Sequence, residues 1–584
     1  MSDIMRAIPF ADLLRQVRQE FAEQQTIFQV KKITRTSELD QAEKLPELTL
    51  YGGQKLEYPL GVAAGPHTQL AQNIAACYVA GARFMEVKTI QSLYGEDLGI
   101  PRPCIRAEDE GYNVEWSSEF SPADALAEYV KGYFLCKFIA REYGLGDPDG
   151  FIINMSCGYN LEGIKEASVD YFIENMKDAS NTEVFAECKR VLLEQVDSFA
   201  NVDENFIENI SPVIAKSLTL STMHGCPPEE IEKMADYMLR EKQVNLYVKC
   251  NPTLLGYDRV RYILDTLGFS YIKFGKAQFD ADLKLEQAVP MLTRLKQTAK
   301  EQGLTFGVKL TNTFQTDITG DELPGQNMYM SGRSLFPLSI EVAKVLSEAF
   351  AGDLPMSFSG GADAYNIQAL LETNICPITV CTVLLRPRGL NKLQELAQKV
   401  VQANVPASKA QRAGTSETES LKVDVAKIKE IRDNVLQDKH YIKTEAQLKR
   451  NFKYGHYNGP RSEKVHCRVL CQNCIDVCPN RANDLIELAP GEKVILHLDR
   501  NCNECGNCQF SCVEPCYPYR DRLTLFTTAE DFHNSNNKGL LPLADERYLY
   551  RFDDEGEAEF AQLPDVLQQM ASALKKQRSY LLTK

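Results

Sequence analysis

Two runs of closely spaced cysteines constrain this chain more than any other feature. Half of its 18 cysteines lie in one stretch, in the runs Cys467-x3-Cys471-x2-Cys474-x3-Cys478-Pro479 and Cys502-x2-Cys505-x2-Cys508-x3-Cys512, with Cys516 beyond them. Three closely spaced thiolates hold one face of an iron-sulfur cube, and the fourth cysteine of such a run reaches the other cube. The spacing therefore predicts two 4Fe-4S clusters and the transfer of single electrons.

The same reciprocity divides eight ligands between the two clusters. One cluster is expected on Cys467, Cys471, Cys474 and Cys512, and the other on Cys502, Cys505, Cys508 and Cys478. Three residues separate Cys467 from Cys471, whereas two residues usually separate the first two cysteines of such a ferredoxin run. Cys516, four residues beyond Cys512, is either a spare thiol or an alternative ligand.

Length and charge set the protein class. A chain of 584 residues exceeds what one hydrophobic core supports, so two or more domains are expected. The net charge of -15 disfavours nucleic acid and anionic membranes as partners. The N-terminus is not of signal-peptide type, no run of 18 apolar residues occurs, and the remaining cysteines are scattered singly, as in a reducing compartment. We therefore expect a cytoplasmic protein.

The stretch between about residues 58 and 385 alternates short apolar strand candidates with helical segments, which predicts a parallel α/β sheet or a (β/α)8 barrel. There are nine strand candidates, one too many for such a barrel, and we assign the short Tyr271–Phe274 to an excursion. The expected organisation is an N-terminal helix and lead-in over 1–57, a barrel over 58–390, a linker with helices over 391–455, an iron-sulfur domain over 456–527 and a tail over 528–584.

Barrel enzymes bind ligands at the C-terminal ends of their strands, so the residues at those ends are the first candidates for a site. Read in chain order, the strand ends and following loops give Ala63-Ala64-Gly65, Lys88-Thr89, His224-Gly225-Cys226, Lys249-Cys250-Asn251-Pro252, Asn312-Thr313, Ser331-Gly332, Gly360-Gly361 and Cys381-Thr382. Each motif alone is most simply a turn or a surface residue. Eight such motifs in this order along one predicted barrel are hard to obtain by chance.

This order resembles the FMN barrel of the dihydroorotate and dihydropyrimidine dehydrogenases, and the added pair of clusters is similar to the latter. Over nearly its whole length, the chain resembles the family named for a selenate reductase iron-sulfur subunit, whose barrel contains the strings TLSTMHGCPP and NPTLLGY. The chain would be a short form of that family, without its FAD/NAD(P)H module. The resemblance implies an FMN-type (β/α)8 barrel followed by a ferredoxin-like domain with two 4Fe-4S clusters.

The resemblance also assigns cofactor residues. Gly360, Gly361 and the amides near Cys381 and Thr382 would cradle the FMN phosphate, as barrels commonly do at their last strands. Lys88 and Lys249 would face the flavin ring and stabilise negative charge on its reduced form. The remaining residues expected at the cofactor are Ala63, Ala64, Gly65, Thr89, Ser331 and Gly332.

Two cysteines compete for the role of general acid. Cys226 lies in a Gly-Cys-Pro-Pro loop at the barrel top, whereas Cys157 comes one strand too early in the motif order and is expected beneath the flavin. A lone cysteine is usually a small core residue, but the loop position favours Cys226. His224 would activate that thiol or bind substrate, unless it is simply an imidazole packed in a loop.

The resemblance implies a substrate with alternating N–H and C=O groups, because asparagine carboxamides complement such an edge. The residues expected there are Asn113, Glu115, Asn312 and Thr313. Two departures, Ser221 in place of a substrate asparagine and Lys309 as an added cation beside Asn312, favour an oxopurine-like over a plain pyrimidine ring.

The expected activity is that of an oxidoreductase acting on a CH-CH or CH-NH bond of a nitrogen heterocycle, in either direction. No Gly-x-Gly-x-x-Gly follows a strand, so electrons would come from a FAD/NAD(P)H flavoprotein resembling the glutamate synthase small subunit, in a hetero-oligomer. The alternative is an electron-transfer subunit of a molybdenum-type reductase such as a selenate reductase.

Overall fold

Eight parallel strands close into a barrel in the computed structural model of this chain. The structure describes residues 4–30, 48–114, 117–222, 224–320, 322–403, 422–448, 459–462 and 465–582. A hairpin of β1 (Leu48–Leu50) and β2 (Gln54–Leu56) precedes the barrel. The barrel strands are β3 (Leu60–Val62), β4 (Phe84–Glu86), β7 (Ile152–Tyr159), β8 (Ser217–Thr222), β9 (Asn245–Cys250), β10 (Phe306–Leu310), β13 (Met356–Phe358) and β14 (Ile378–Val380).

The predicted barrel is thus confirmed, and Tyr271–Phe274 is indeed not one of its strands. The strands are nearly continuous apolar runs because a parallel sheet is covered on both faces. The helices up to the barrel's end are α1 (Phe10–Gln24), α2 (Ala71–Val79), α3 (Pro122–Tyr143), α4 (Leu161–Ile164), α5 (Ala167–Lys177), α6 (Glu183–Leu193), α7 (Glu204–Glu208), α8 (Pro228–Arg240), α9 (Tyr257–Thr266), α10 (Ala277–Ala281), α11 (Leu285–Glu301), α12 (Phe336–Ala349), α13 (Ile367–Leu371) and α14 (Leu390–Gln402).

The longest of these helices, α3, shows how local sequence sets an element's limits. The Ser121 hydroxyl accepts a hydrogen bond from the Asp124 N–H, and Pro122 occupies the first helical position, where no N–H is needed. Gly144 ends the helix in a left-handed conformation. None of the described helices is long and apolar enough to cross a membrane.

The barrel interior holds a buried ion pair instead of a purely apolar core. Lys309 Nζ lies 2.8 Å from Glu86 Oε2, and both side chains are 1% exposed. Lys309 also donates to Thr379 Oγ1 at 2.9 Å, and Thr219 Oγ1 donates to Glu86 at 3.1 Å. The expectation that Lys309 is an added cation for the substrate is therefore wrong, because its charge is neutralised inside the barrel.

A four-stranded antiparallel sheet is inserted after the strand ends. It consists of β11 (Phe314–Asp317), β12 (Asn327–Ser331), β6 (Gly111–Asn113) and β5 (Ile105–Ala107), in that spatial order. Ser331-Gly332 therefore ends a strand of this sheet and not one of the barrel. The inserted sheet brings Asn113 of β6 opposite Tyr329 of β12.

The C-terminal part is built on a second sheet that follows α15 (Val425–Val435). Its six strands are β15 (Asn483–Ala489), β16 (Glu492–Leu498), β17 (Leu523–Leu525), β18 (Gly539–Pro542), β19 (Arg547–Arg551) and β20 (Glu555–Glu559). The helices here are α16 (Asn473–Asp476), α17 (Asn507–Phe510), α18 (Pro518–Asp521), α19 (Ala529–Asn534) and α20 (Asp565–Gln577). One sheet spans both sides of residue 527, so the expected boundary between 456–527 and 528–584 does not separate two folding units.

Candidate active site

Glycines at the ends of the last strands bring backbone segments into unusually close contact. A Cβ at Gly361 would lie 2.3 Å from the Gly332 carbonyl oxygen, and one at Gly360 would lie 1.9 Å from Ser339 Oγ. Gly332 and Gly361 also have φ values of 76° and 87°, which favour glycine. They line one cavity together with Ser359, Ala362, Cys381, Thr382, Val383, Asp109, Asp363, Arg333 and Arg386.

The lining of this cavity carries charges of both signs, from Arg333, Arg386, Asp109 and Asp363. Arg386 lines it, and the charges of Arg386 and Arg388, added to burial, lower the pKa of Lys392 to about 8. Arg333, in contrast, is held by Asp109 through two hydrogen bonds of 3.2 and 2.7 Å. Sequence reasoning missed Arg386, although the string Arg386-Pro387-Arg388 directly after the last strand was a usable signal.

The other predicted cofactor residues of the last and first strands lie beside the same cavity. Thr382 Oγ1 donates to Ser331 Oγ at 2.9 Å, and Ser331 Oγ donates to the Gly111 carbonyl at 3.2 Å. Ala63 N–H donates to the Val380 carbonyl, and a Cβ at Gly65 would lie 2.8 Å from Cys381 Sγ. Ala64, between them, is half-buried.

Lysines form the next part of the barrel mouth. Burial lowers the pKa of Lys88 to about 8, and Cys381, Glu119 and Lys249 are close enough to act on it electrostatically. Lys249 is half-buried on β9, in register with Ser221 of β8. Thr89 follows, with its Oγ1 2.8 Å from Ser156 Oγ. Lys88, Lys249 and Cys381 therefore form a cationic neighbourhood with one thiol.

Cys226 lies in a neighbouring cavity that it shares with Lys249 and Asn251. Thr222, Val248 and Cys250 also line this cavity from the faces of β8 and β9 that point to the helices, so the thiol lies between the strand ends and the surrounding helices, and Lys249 is the lining residue that this cavity shares with the barrel mouth. Burial, with the charges of Glu230 and Asp282, raises the pKa of Cys226 to about 11. The thiol is therefore protonated near neutral pH, as a general acid must be.

Asp282 fixes the loop that carries Cys226, and sequence reasoning missed it. Its carboxylate accepts hydrogen bonds from the Gly225 N–H, from Thr253 Oγ1 at 2.6 Å and from Asn251 Nδ2 at 3.4 Å. No motif marks Asp282, because it lies in the connection after α10 and not at a strand end.

The predicted substrate residues meet under the inserted sheet. His224 Nε2 lies 3.1 Å from the Thr313 carbonyl oxygen, and its ring is 5.0 Å from that of Tyr329. Asn312 Nδ2 lies 3.5 Å from the Thr222 carbonyl, and Asn113 is paired with Tyr329 in the sheet. His224, Asn312, Thr313 and Asn113 are thus brought together, whereas Glu115 lies outside the described residues.

Cys157 is not beneath a flavin position. Asn154 of the same strand bonds Thr219 Oγ1 inside the barrel, so Cys157, three residues later, points to the opposite face. It is buried, and it is close enough to Tyr129 of α3 to act on the pKa of that phenol. Cys157 is therefore a core residue between strand and helix.

The eight predicted cluster cysteines form two neighbouring groups in the combinations expected. Cys478, Cys502, Cys505 and Cys508 line one cavity with Asn483, Asn507 and Tyr519. In the other group, burial raises the pKa of Cys474, and Cys467, Cys512 and Cys471 contribute to that rise in this order. Four thiols around one cavity, Cys478, Cys502, Cys505 and Cys508, fit a site where iron would bind the thiolates.

The described cysteine groups do not have the geometry of a formed metal site. Within the parts of the chain that the structure describes, no three His, Cys, Asp or Glu side chains stand in a metal-holding arrangement, so the clusters stay a prediction. Cys516 Sγ lies 3.4 Å from Cys512 Sγ and accepts a hydrogen bond from Arg522 Nη2 at 3.2 Å. Both readings of Cys516, as a spare thiol or as an alternative ligand, stay open.

Comparison with known proteins identifies the barrel. The family model described as "Oxidoreductase YgfK, N-terminal TIM-barrel domain" matches residues 28–443. YgfK of Escherichia coli strain K12, described as a candidate oxidoreductase, is 47% identical over 405 residues, covering 67% of this chain and 39% of the relative; YgfK of strain O157:H7 gives the same values. The chain thus spans 39% of the length of these relatives.

Solved structures give a weaker likeness. A ligand-free DHODH from Eimeria tenella is 16% identical with a TM-score of 0.38, covering 67% of this chain and 92% of that one. The same enzyme in complex with ferulenol is 14% identical with a TM-score of 0.39, covering 68% of this chain and 92% of that one. We draw no conclusion from likeness at this level. The family match over residues 28–443, on a barrel whose strand ends carry the site above, shows that the chain belongs to the YgfK family of oxidoreductases, whose N-terminal domain is a TIM barrel.

Proposed function

We propose that this oxidoreductase is an iron-sulfur flavoprotein that exchanges electrons between a nitrogen heterocycle and a protein partner, through FMN and two 4Fe-4S clusters. The observation that carries the proposal is the cavity lined by Gly332, Gly361 and Arg386 at the ends of β13 and β14, beside Lys88 and Lys249. Barrels commonly bind phosphate at this position. The cysteine groups beside the barrel supply the electron route.

FMN suits the residues at this cavity. Gly332, Gly361 and Thr382 line this cavity, so a phosphate bound in it would lie beside their main chain, and Arg386 would add a charge-assisted contact. Lys88 and Lys249 would hold positive charge against the ring. When bound, FMN would supply hydride transfer and one-electron chemistry, which the side chains of the barrel cannot supply.

The proton would come from Cys226. Its thiol is protonated near neutral pH because its pKa is about 11, and Asp282 anchors its loop. Asn312 and Asn113 would orient an oxopurine- or pyrimidine-like ring, since a carboxamide offers donor and acceptor together. His224 would contact the ring from the same side, because it lies against Thr313 and Tyr329.

The partner is proposed to be a FAD/NAD(P)H flavoprotein that docks near Cys471. This cysteine is exposed, and two valines on the same surface, Val469 and Val513, are 57% and 61% exposed. The Val469 N–H donates to Glu514, next to Val513, so the two valines belong to adjacent loops. Exposed apolar side chains around a redox centre are typical of sites for transient protein contact.

The visible spectrum and iron content of the purified protein test the proposal. A flavin band that is bleached by a heterocycle or by its dihydro form, together with iron and sulfide at two clusters per chain, is the expected result. Clusters without flavin would contradict the proposal and favour an electron-transfer subunit of a molybdenum-type reductase. Screening oxopurines and pyrimidines with a redox dye then identifies the ring.

Arg386→Ala is expected to weaken FMN binding about 10- to 100-fold, the effect of losing a hydrogen bond to a charged group of about 1.5–3 kcal/mol. Titration of apoprotein with FMN, followed by flavin fluorescence, measures the affinity. Arg388→Ala is the matched control, because Arg388 is exposed and paired with Glu395. Equal affinity in wild type and Arg386→Ala would contradict the phosphate assignment.

The charge of Lys88 makes stability depend on pH. Its pKa is about 8 in the folded protein against about 10.4 when unfolded, so below pH 8 its burial costs about 3 kcal/mol. This cost is relieved as pH rises from 8 to 10, because the unfolded chain then binds more protons. Lys88→Met should therefore stabilise the FMN-free protein at pH 7, and the gain should shrink by pH 10.

Denaturant unfolding of both proteins at the two pH values measures this difference. Lys137→Met, at another buried lysine, which lies in α3 and whose ammonium is paired with Asp149, serves as the control. A Lys88→Met gain that is the same at pH 7 and pH 10 would show that the charge of Lys88 is not its cause.

A further inference from the structure

The second cysteine group is joined directly to the barrel mouth. The N–H groups of Cys104 and Ile105, where β5 begins, both donate to the Cys505 carbonyl, at 2.9 and 3.0 Å. The contact leaves no spare room, because a Cβ at Gly506 would lie 2.2 Å from the Cβ of Pro103. The main chain at one predicted cluster ligand is thus hydrogen-bonded directly to the inserted sheet that follows the barrel strand ends, without an intervening side chain.

Three side chains fill the space beside this backbone contact. Arg102 Nη1 lies 3.2 Å from Cys104 Sγ, and its Nη2 donates to Glu119 Oε2 at 2.6 Å. The second oxygen of Glu119 accepts from Asn503 Nδ2 at 2.7 Å, next to Cys502. Arg102 and Glu119 are mostly buried, so their charges act through a medium of low polarity.

The same side chains reach the flavin side of the site. The Ser118 N–H, next to Glu119, donates to the carbonyl of Thr89, next to Lys88, at 2.7 Å, and Glu119 is close enough to Lys88 to oppose the lowering of its pKa by burial. On the other side, the N–H of Cys104 donates to the carbonyl of Cys505 at 2.9 Å. Arg102, Cys104 and Glu119 therefore lie between the second cysteine group and Lys88, in contact with the surroundings of both.

We propose that Arg102, Cys104 and Glu119 form the junction through which an electron passes between the cluster on Cys478, Cys502, Cys505 and Cys508 and the Lys88 side of the FMN site. The inference rests on the proposed function. One electron leaves the cluster and is gained by the flavin, or the reverse, and no bond forms or breaks in this step.

Arg102 acts in this junction as a positioning residue, because it holds a fixed positive charge near the cluster on Cys478, Cys502, Cys505 and Cys508. A fixed cation near a cluster favours its reduced, more negative state and so raises its reduction potential, whereas a nearby carboxylate has the opposite effect. Arg102 and Glu119 therefore have opposite expected effects on one cluster. The other cysteine group has its own arginine, Arg522, which acts on Cys467, Cys512 and Cys516.

Redox titration of the holoenzyme followed by electron paramagnetic resonance tests the junction. Arg102→Gln should lower the potential of one cluster and leave the other unchanged, and Glu119→Gln should raise the potential of that same cluster. Arg102→Lys should restore most of the shift. Arg522→Gln is the matched control, because it should move only the other cluster.

Rapid mixing with dithionite gives a second readout. Arg102→Gln should speed electron transfer from the cluster to the flavin and Glu119→Gln should slow it, because a lower cluster potential increases the driving force, while iron and FMN contents stay at wild-type values. A cluster potential that shifts in the same direction in Glu119→Gln and in Arg102→Gln would contradict the charge argument. A general loss of packing around the cluster would shift the potential in the same direction in both variants.

The failure of the junction differs from the failure of the proposed function. Unchanged potentials and rates in the Arg102 and Glu119 variants of a protein that holds iron and flavin would overturn the junction alone. Wild-type protein that binds no iron or no flavin would overturn the proposed function and the junction with it.

Discussion

Cys226→Ala is expected to lower turnover about 10²- to 10⁴-fold, the range that a positioned general acid contributes, while FMN and iron contents stay unchanged. The reason is that the thiol is buried, is protonated near neutral pH and shares a cavity with Lys249 and Asn251. Steady-state turnover with a redox dye and the ring found by screening measures the loss. Single-turnover bleaching of the flavin band separates the chemical step from electron supply.

The surrounding residues provide controls for this result. Cys157→Ala should keep most of the activity, because Cys157 packs between β7 and α3. His224→Gln should weaken substrate binding more than it slows the chemical step, since its ring neighbours are Thr313 and Tyr329. Near wild-type turnover in Cys226→Ala, or a larger loss of the chemical step in His224→Gln, would move the acid role away from Cys226.

Lys309→Met is expected to destabilise the protein by about 3–5 kcal/mol, the cost of leaving one member of a buried ion pair uncompensated. Glu86 would then remain as a carboxylate with 1% exposure and one hydrogen bond from Thr219. The free energy of unfolding from denaturant titration of the FMN-free protein measures the effect.

The double variant Glu86→Gln, Lys309→Met distinguishes charge from packing. Removing both charges should recover most of the lost stability, because a neutral pair no longer carries the desolvation cost. A double variant as unstable as Lys309→Met alone would show that packing of the lysine stem, and not its charge, stabilises the barrel.

Sequence periodicity and strand-end chemistry predicted the barrel well. Short apolar runs ending in small or polar residues marked all eight strands, because the parallel strands of a barrel are buried on both faces and end at one rim. Cysteine spacing likewise predicted which thiols become neighbours, since a few intervening residues restrict where a side chain can reach. Gly361 and Thr382 meet for the same reason, because they follow the neighbouring strands β13 and β14.

What the sequence did not reveal depends on contacts between distant segments. The neutralisation of Lys309 by Glu86 joins β10 to β4, and the anchoring of Gly225 by Asp282 joins a loop to the end of α10. Nothing local to either residue encodes its partner. The side on which Cys226 and Cys157 lie was also hidden, because it depends on strand alternation relative to a barrel axis that the sequence does not show.

The sheet from β15 to β20 limits how this protein can be dissected in the laboratory. A fragment that stops at residue 527 would expose the edge of β17, whose partner β18 begins at Gly539, and such unpaired edges invite aggregation. A Cβ at Gly539 would lie 1.9 Å from the Thr524 carbonyl oxygen, so the two strands are tightly matched. The shortest fragment that keeps the cysteine groups in a complete sheet therefore extends through α20.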